Sequence, residues 1–239
     1  MAWKDKLIIA LDVSSADKAL SIVDMLGGDV STYKVGFELF VTAGPSVIER
    51  LHEKGKRVFL DLKFHDIPNT VSKAAVAAAR LGVYMFNIHA SGGVEMMKSC
   101  RDRVEEVCAK ENLRRPKIIG VTVLTSIDSE MLKNELCIPH GVKAHVKHLS
   151  MLAQKAGLDG VVASPQEISI IKNACGKGFL VVTPGIRPSW TPPDDQHRTA
   201  TPQAAFREGA DYIVMGRGIL KHEDPIRALE LISLEILTA

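Results

Sequence analysis

The sequence predicts an α/β protein with the (β/α)8 architecture of a TIM barrel, built as a single domain over residues 1–239. Short apolar and β-branched runs alternate with helical patterns along the whole chain, which is typical of strand-then-helix units and a parallel sheet. The length and a hydrophobic content of 46% allow one sizeable core, and no linker divides the chain. Eight such runs can be counted, at residues 7–11, 32–35, 58–62, 83–88, 117–123, 160–163, 180–183 and 212–215.

The segments between these runs carry signals for the start and the end of helices. Ser14 with Asp17 forms a capping box for the first helix, which Gly27 should end. Three later starts combine a capping residue with proline at the first helical position. They are Ser164 with Pro165, Thr201 with Pro202, and Asp224 with Pro225. Glycines also fall where helices should stop before the next strand, at Gly55, Gly82, Gly157 and Gly209.

A doubly wound open sheet is the structural alternative. Such sheets often bind dinucleotides through a G-x-G-x-x-G turn after the first strand. The chain has no such turn after residues 7–11, where it continues as Asp-Val-Ser-Ser. The barrel is therefore favoured.

The overall composition argues against several classes of function. A formal net charge of +2 does not supply the uncompensated Lys and Arg on which nucleic-acid or membrane-surface binding depends, so we expect neither partner. The four cysteines contain no C-x-x-C pair and predict reduced thiols rather than a disulfide framework. The first apolar run, which ends at Asp12, is too short for a signal peptide or a membrane span. A cytoplasmic location is expected.

The segment 61–70, Asp-Leu-Lys-Phe-His-Asp-Ile-Pro-Asn-Thr, is the most informative stretch of the chain. Side chains alternate along a strand, so Phe59, Asp61 and Lys63 should share one face, with apolar neighbours on the other. Inward-facing charges need partners because burying an unpaired charge is costly, and Asp61, Lys63 and Asp66 can pair with one another. Taken alone, an Asp-x-Lys triplet is more often a solvated strand end. Its interpretation therefore depends on the rest of the chain.

Polar residues collect at the carboxyl ends of the predicted strands, where the active sites of (β/α)8 barrels lie. Each of the first five strands ends in, or is followed by, at least one of them. They are Asp12, Lys34, Asp61 with Lys63, Asn87 with His89, and Thr125 with Ser126. The sequence therefore predicts an active site at this end of the barrel.

The loops after the seventh and eighth strands have the features of a phosphate site. In barrels these two loops often bind phosphate through backbone N–H groups. Gly216 and Gly218 allow the backbone to approach an anion, and Arg217 adds a bidentate donor suited to phosphate oxygens. A lone Gly-Arg-Gly tripeptide would favour an ordinary loop. Its position after the eighth strand, together with Arg187 after the seventh, favours the phosphate site.

The segment from residue 187 to residue 199 is long and irregular for a barrel loop. Such loops are usually either lids or disordered excursions. Because this one follows the seventh strand beside the predicted phosphate site, we expect a lid in which Gln196 reaches the ligand on closure. A disordered surface segment is the alternative.

Taken together, these motifs resemble those of the bacterial orotidine 5′-phosphate decarboxylase family, and the resemblance covers nearly the whole chain. The motifs that carry it are Leu11-Asp12, Lys34-Val35-Gly36, the segment 61–70, Val123-Leu124-Thr125-Ser126, Thr183-Pro184-Gly185-Ile186-Arg187 and Gly216-Arg217. The resemblance implies a homodimeric (β/α)8 barrel that converts orotidine 5′-monophosphate to CO₂ and uridine 5′-monophosphate. This is the last step of de novo UMP biosynthesis, and it needs neither a metal nor an organic cofactor.

The resemblance also implies roles for individual residues. Lys63 would be the proton donor, in an alternating catalytic array with Lys34, Asp61 and Asp66. The partner subunit would supply Asp66 and Thr70, so each active site would be composite. For the rest, Asp12 and Lys34 would hold ribose hydroxyls, Thr125 and Ser126 would meet the pyrimidine edge, Arg187, Gln196, Gly216 and Arg217 would bind the 5′-phosphate, and Ile67 would be a further substrate contact.

Two alternatives stay open from the sequence. The first is a metal-dependent phosphosugar decarboxylase or epimerase of the same barrel group, which shares the pattern of the third strand. It would need a divalent metal, and the sequence has no obvious cluster of His and carboxylates with ligand spacing. The second is a non-catalytic barrel that binds phosphorylated ligands through its last two loops. Tight nucleotide binding without CO₂ release would identify it.

Overall fold

The computed structural model describes residues 3–191 and 199–237, and its strands form a closed parallel barrel. The strands follow one another around the barrel in sequence order, and the last pairs with the first. The predicted α/β fold, a (β/α)8 TIM barrel in a single domain, is confirmed. The strands are β1 Leu7–Ala10, β2 Thr32–Val35, β3 Arg57–Phe64, β4 Met85–His89, β5 Lys117–Val121, β6 Gly160–Val162, β7 Leu180–Thr183 and β8 Tyr212–Met215.

Helices connect the strands and cover the outside of the barrel. Within the two described ranges, no helix is both long enough and apolar enough to cross a membrane. The α-helices are α1 Ala16–Leu26, α2 Phe37–Ala43, α3 Ser46–Glu53, α4 Pro68–Arg80, α5 Gly93–Glu111, α6 Ser129–Asn134, α7 Val142–Lys155, α8 Ile168–Cys175, α9 Pro202–Glu208, α10 Arg217–Leu220 and α11 Pro225–Leu237. Short 3-10 helices lie at Trp3–Lys6, Gly27–Asp29, Ala90–Gly92 and Pro165–Glu167.

Two layers of apolar side chains stabilise the barrel. Because side chains alternate along a strand, Ile8 and Ala10 of β1 face the interior, whereas Leu7 and Ile9 pack outward against the helices. The outer layer is much the larger of the two. The interior layer consists of Ile8, Ala10, Phe59, Met85, Ile119, Val182, Tyr212 and Val214. This apolar filling leaves only the ends of the barrel for polar side chains.

The strand boundaries agree with the sequence for β2, β7 and β8 and differ by a few residues elsewhere. The largest differences are in β3 and β4. The structure extends β3 to Phe64, because this strand pairs with β4 again at Ile88 after an irregularity. It begins β4 only at Met85, since Gly82 turns the chain with a φ of 72° just before it. These differences arise from pairing between strands, which a local pattern does not contain.

The predicted helix signals are confirmed with one correction. The cap of α1 is Ser15 rather than Ser14, because the helix starts at Ala16 and Ser15 has the extended backbone of an N-cap. Its hydroxyl accepts a hydrogen bond from the backbone N–H of Lys18 at 3.3 Å. Gly27 ends this helix as expected, with a φ of 51°. At the later helix starts, the side chains of Ser164, Thr201 and Asp224 each accept a hydrogen bond from a backbone N–H of the following turn.

Candidate active site

A cavity of about 620 Å³ opens at the carboxyl end of the barrel. All eight strands, or the loops that follow them, contribute to its lining. Its volume lies within the range of about 300–1,000 Å³ that is usual for small-molecule sites. Ala10, Phe59, Val162 and Val214 give it an apolar floor. The polar residues predicted at the strand ends lie above this floor.

Four charged side chains form a continuous series of ion pairs along the wall from β1 to β3. The Nζ atom of Lys34 lies 2.9 Å from Oδ1 of Asp12 and 3.4 Å from Oδ2 of Asp61. The Nζ atom of Lys63 lies 2.7 Å from Oδ1 of Asp61. Gly36 leaves room for the Lys34 ammonium, since a Cβ atom there would lie only 3.1 Å from Nζ. Asp61 is therefore shared between two ammonium groups.

The charged groups in these pairs are largely buried, and both burial and pairing affect their pKa values. The side chains of Lys34 and Asp61 are only 12% and 13% exposed, whereas that of Lys63 is 25% exposed. Burial alone would raise the pKa of Asp61, but Lys34, Lys63 and a hydrogen bond from Asn87 outweigh it and hold that pKa below its usual value. Burial would likewise lower the pKa of Lys34, but the carboxylates of Asp61 and Asp12 raise it. Asp61 and Lys34 therefore both stay ionised at neutral pH.

The backbone of β3 is irregular where it presents Lys63. Pairing with β4 is regular up to Leu60 and resumes at Phe64. Between these residues, Lys63 adopts a φ of 45°, which is uncommon for any residue other than glycine. Its backbone N–H donates to Oδ1 of Asn87 at 2.7 Å. Such an irregularity redirects a side chain, and here the Lys63 side chain lines the cavity.

The β7–β8 side of the cavity combines closely packed glycines with two arginines. A Cβ atom on Gly216 would lie 3.3 Å from Cβ of Ala10, and one on Gly218 would lie 3.1 Å from Cδ of Pro188. Both positions therefore suit glycine. Arg187 and Arg217 line the cavity on this side. Guanidinium groups beside a glycine backbone form an environment suited to a phosphate.

Backbone hydrogen bonds fix the base of the segment that follows β7. The N–H of Arg187 donates to the carbonyl of Ala200 at 2.9 Å, and the N–H of Ala200 donates to the carbonyl of Gly185 at 3.2 Å. Trp190 lies on this segment and lines the cavity. Residues 192–198, which include Gln196, lie outside the described residues. The predicted contact of Gln196 with the ligand therefore stays a prediction.

Comparison with known proteins identifies the family. The model of the Orotidine 5′-phosphate decarboxylase / HUMPS family matches residues 5–232. This chain belongs to that family. The orotidine 5′-phosphate decarboxylase of Moorella thermoacetica is 49% identical over 236 residues, which are 99% of this chain and 94% of the relative. The one from Pelobacter propionicus is 47% identical over 233 residues, or 98% and 95% of the two chains.

A solved structure agrees with this assignment. The crystal structure of orotidine 5′-phosphate decarboxylase from Lactobacillus acidophilus matches with a TM-score of 0.86 and 40% identity, covering 98% of this chain and 99% of that one. The predicted family is thus confirmed, and the two alternative functions are not favoured.

In this member of the orotidine 5′-phosphate decarboxylase family, some predicted site residues lie away from the cavity of their own chain. Asp66, Ile67 and Thr70 are exposed at the start of α4 and are not among the residues that line it. Oδ1 of Asp66 instead accepts a hydrogen bond from the backbone N–H of Ile67 at 2.6 Å. Asp66 therefore does not join the pairing of Asp61 with Lys63 within one chain.

The two predicted site residues in the loop after β5 differ in their position relative to the cavity. Thr125 lines the cavity, whereas Ser126 is exposed and does not belong to the lining. The predicted contact of Ser126 with a pyrimidine stays a prediction.

Some lining residues of this orotidine 5′-phosphate decarboxylase family member received no role from the sequence. The sequence indicates only that Asn87 is a polar strand end, and the fold brings it against Asp61 and Lys63. Lys221 and His222 reach the cavity because α10 is a single turn after Gly216. A lysine and a histidine at a helix end are too common for a sequence pattern to single out.

The described ranges contain no group of three or more His, Cys, Asp or Glu side chains that could hold a metal ion. Two histidines lie close to the ion pairs: the rings of His65 and His89 are 5.2 Å apart. Burial, the neighbouring His65 and the ammonium of Lys63 together lower the pKa of His89. This histidine is therefore mainly neutral near pH 7.

Proposed function

We propose that this protein decarboxylates orotidine 5′-monophosphate to uridine 5′-monophosphate, the last step of UMP biosynthesis, with Lys63 as the proton donor. The observation that carries the proposal is the alternating series of Asp12, Lys34, Asp61 and Lys63 on the wall of the cavity. Membership of the family supports the substrate.

The reaction poses an electrostatic problem that these residues fit. Loss of CO₂ breaks the bond between C6 and the carboxylate carbon and leaves an electron pair in the ring plane, where the π system delocalises it poorly. A fixed ammonium beside C6 stabilises this charge and can then supply a proton. The proton passes from Nζ of Lys63 to C6, which forms the C6–H bond of the product. The resulting neutral amine regains a proton from water.

Asp61 has two roles in this scheme. Its carboxylate holds the Lys63 ammonium at 2.7 Å, and it would face the carboxylate of the substrate. Two like charges at ~4 Å repel by about 4 kcal/mol at an effective dielectric near 20, and departure of CO₂ relieves this repulsion. We assign the larger contribution to Lys63, because a charge already in place needs no reorganisation as the carbanion develops.

The two ends of the nucleotide would meet different walls of the cavity. Asp12 and Lys34 would hold the ribose hydroxyls, with Thr125 and Ser126 at the pyrimidine edge. The 5′-phosphate would bind at the β7–β8 side, far from the bond that breaks. Binding energy from this remote group can drive closure and site assembly, which raises turnover as well as affinity. The proposed phosphate contacts are Arg187, Gln196, Gly216 and Arg217.

The site is completed by a second copy of the chain. Three exposed apolar side chains lie on the segments that follow β2 and β3: Phe37, in α2, is 54% exposed, Val41, in the same helix, is 79% exposed, and Ile67, just before α4, is 66% exposed. Nζ of Lys63 lies 5.3 Å from the ring centroid of Phe37, so this surface adjoins the reacting groups. A symmetric homodimer through this face would cover the apolar side chains and could bring Asp66 and Thr70 to the partner's cavity. Each active site would then be composite.

The scheme assigns every chemical step to amino-acid side chains, so we expect turnover without a metal or an organic cofactor. We also expect a cytoplasmic location and no role for nucleic acid or membrane, in keeping with the small net charge.

The loss of orotidine 5′-monophosphate absorbance tests the proposal when it is measured with and without a strong chelator. Turnover that resists the chelator is the expected result. Turnover that disappears with the chelator and returns with a divalent metal would favour a metal-dependent enzyme of the same barrel group. Tight nucleotide binding with no CO₂ release would identify a non-catalytic barrel instead.

A further inference from the structure

Both the nitrogen and the oxygen of the Asn87 side-chain amide form hydrogen bonds with the two central residues of the site, Asp61 and Lys63. It lies on β4, is 1% exposed and lines the cavity. Its Nδ2 donates to Oδ1 of Asp61 at 2.6 Å, and its Oδ1 accepts from the backbone N–H of Lys63 at 2.7 Å. The orientation of the amide follows from its partners, since a backbone N–H can only donate and an ionised carboxylate can only accept.

The bond to Lys63 compensates for an irregularity in the sheet. From Leu60 to Phe64, β3 advances four residues while β4 advances two, from Phe86 to Ile88. The N–H of Lys63 lies in this stretch, in a backbone conformation that is unfavourable for a lysine. Asn87 supplies from its side chain the acceptor that a regular ladder would supply from the backbone.

The hydrogen bond to Asp61 gives the two oxygens of the shared carboxylate different partners. Oδ1 accepts from both Asn87 Nδ2 and Lys63 Nζ, which leaves Oδ2 to face the Lys34 ammonium at 3.4 Å. Rotation of this carboxylate would break the hydrogen bond from Asn87. One amide therefore fixes both the backbone that carries Lys63 and the carboxylate that holds its ammonium.

We infer that Asn87 is a positioning residue for the decarboxylation, which aligns Lys63 and Asp61 without itself donating a proton. The inference rests on the proposed function. It differs from a purely structural role in one respect: the alignment should affect the chemical step far more than the binding of a nucleotide that does not react.

Two variants separate the two bonds of the amide. Asn87→Ala removes both of them. Asn87→Asp keeps the size and an acceptor for the N–H of Lys63, but it places a second anion against Asp61. When the introduced carboxyl is protonated, it has one donor and one acceptor and can reproduce both bonds of the amide. Burial and the neighbouring Asp61 should raise the pKa of this carboxyl, and the opposing effect of the Lys63 ammonium is the smaller one because that ammonium is already paired with Asp61.

For folded Asn87→Ala we expect kcat to fall about 100-fold, the loss usual for misplaced reacting groups. The Kd for uridine 5′-monophosphate should change less than about threefold, since Asn87 contacts neither ribose nor phosphate in the proposed mode. For Asn87→Asp we expect kcat relative to wild type to rise at least about tenfold between about pH 8 and about pH 5, while the ratio for Asn87→Ala stays flat.

Thr122→Val is the matched control. Thr122 is buried near the end of β5, and its hydroxyl donates to the carbonyl of Val162 at 2.8 Å, so the variant loses a buried hydrogen bond without touching Lys63 or Asp61. Its kcat should stay within about threefold of wild type.

The inference is overturned if kcat of Asn87→Ala stays within about threefold of wild type, if nucleotide affinity falls as much as kcat, or if the pH ratio for Asn87→Asp is flat. Each of these results requires a wild type that turns over orotidine 5′-monophosphate. A wild type without turnover would overturn the proposed function instead, so the two failures are distinguishable.

Discussion

Both ends of the barrel contain a close ion pair between an aspartate and a lysine, but the two pairs have different roles. At the amino end, Asp211 immediately precedes β8, and its Oδ2 lies 2.6 Å from Nζ of Lys172. The same oxygen accepts from the backbone N–H of Val181 in β7 at 2.8 Å. At the carboxyl end, Asp61 pairs with Lys63 at a similar distance of 2.7 Å, but its other partners are side chains.

The same arrangement is found at the amino end of β6. Asp159 immediately precedes β6, its Oδ2 accepts from the N–H of Ile118 in β5 at 2.7 Å, and it pairs with Arg115 at 2.8 Å. In both cases a carboxylate ties the start of one strand to its neighbour. The carboxylate of Asp61 instead belongs to a cavity wall. Ion pairs of similar length therefore stabilise the sheet at one end and hold reactive charge at the other.

The two lysines make the sharpest test of this difference. Lys63→Ala should reduce kcat by at least about 1,000-fold while the protein stays folded. Loss of a positioned proton donor accounts for about 100-fold to 10,000-fold, and loss of the ammonium charge adds to this effect. Lys172→Ala should keep kcat within about twofold once corrected for the folded fraction, and should instead lower the midpoint of thermal unfolding. Steady-state kinetics and thermal denaturation of both proteins provide the comparison. Residual activity of Lys63→Ala within tenfold of wild type would show that Lys63 is not the proton donor.

The carboxyl end should also differ in depending on a second chain. Lys63→Ala and Asp66→Asn should each be inactive, but mixing them under conditions of subunit exchange should restore activity. In a heterodimer, one site would combine a wild-type Lys63 with a wild-type Asp66, and the other would carry both lesions. Random exchange at equal amounts would recover about a quarter of wild-type turnover, since half of the dimers would each have one intact site.

Exchange itself needs an independent check, such as mass spectrometry of differently tagged chains. Confirmed heterodimers without recovered turnover would show that Asp66 serves its own chain or that the site is not shared. Each variant mixed with itself is the control.

The β7–β8 side of the cavity should matter only for a substrate that carries a phosphate. For orotidine 5′-monophosphate, Arg217→Ala should lower kcat/KM by a factor that corresponds to a loss of about 2–5 kcal/mol of transition-state stabilisation, as expected for loss of a desolvated charge-assisted pair. The same change should barely affect the unphosphorylated nucleoside. Measuring kcat/KM for both substrates gives the answer, and equal losses would place Arg217 outside the phosphate site.

At the amino end, Asp211→Ala should reduce the free energy of unfolding by about 1–3 kcal/mol, because it removes the acceptor of the Val181 N–H and the carboxylate that pairs with the Lys172 ammonium. Its kcat per folded molecule should equal that of wild type. Chemical denaturation and active-site titration measure the two quantities. A selective loss of kcat would contradict the division of roles between the ends.

The smallest expected effect is a pH dependence that comes from Asp61. Its pKa in the folded protein lies below its usual value despite burial, because Lys34 and Lys63 favour the charged form. The stability that this charge contributes is present above the pKa of the unfolded chain, about 3.9, and is lost as pH falls towards the lower folded value. The unfolding free energy of wild type, relative to Asp61→Asn, should therefore fall between about pH 6 and about pH 3. A constant difference over this range would contradict the assignment.

The sequence by itself determined the class of fold and the end of the barrel that carries the chemistry. Alternation of apolar runs with capped helices is a local property, and parallel strands in sequence order necessarily place their carboxyl ends on one rim. This is why Asp12, Lys34, Asp61 and Lys63 could be grouped before any distance was known. The boundaries of β2, β7 and β8 were predictable for the same reason, since local signals bracket each of these runs.

The tertiary structure decided the features that depend on contacts between distant segments. The irregularity that turns Lys63 into the cavity, and the role of Asn87 in bonding to it, exist only because β3 and β4 pair in a particular register. Asp66 lies in the exposed turn between β3 and α4, outside the lining of its own cavity. Strand register and helix direction are set by packing across the whole barrel, so neither is encoded in a short stretch of sequence.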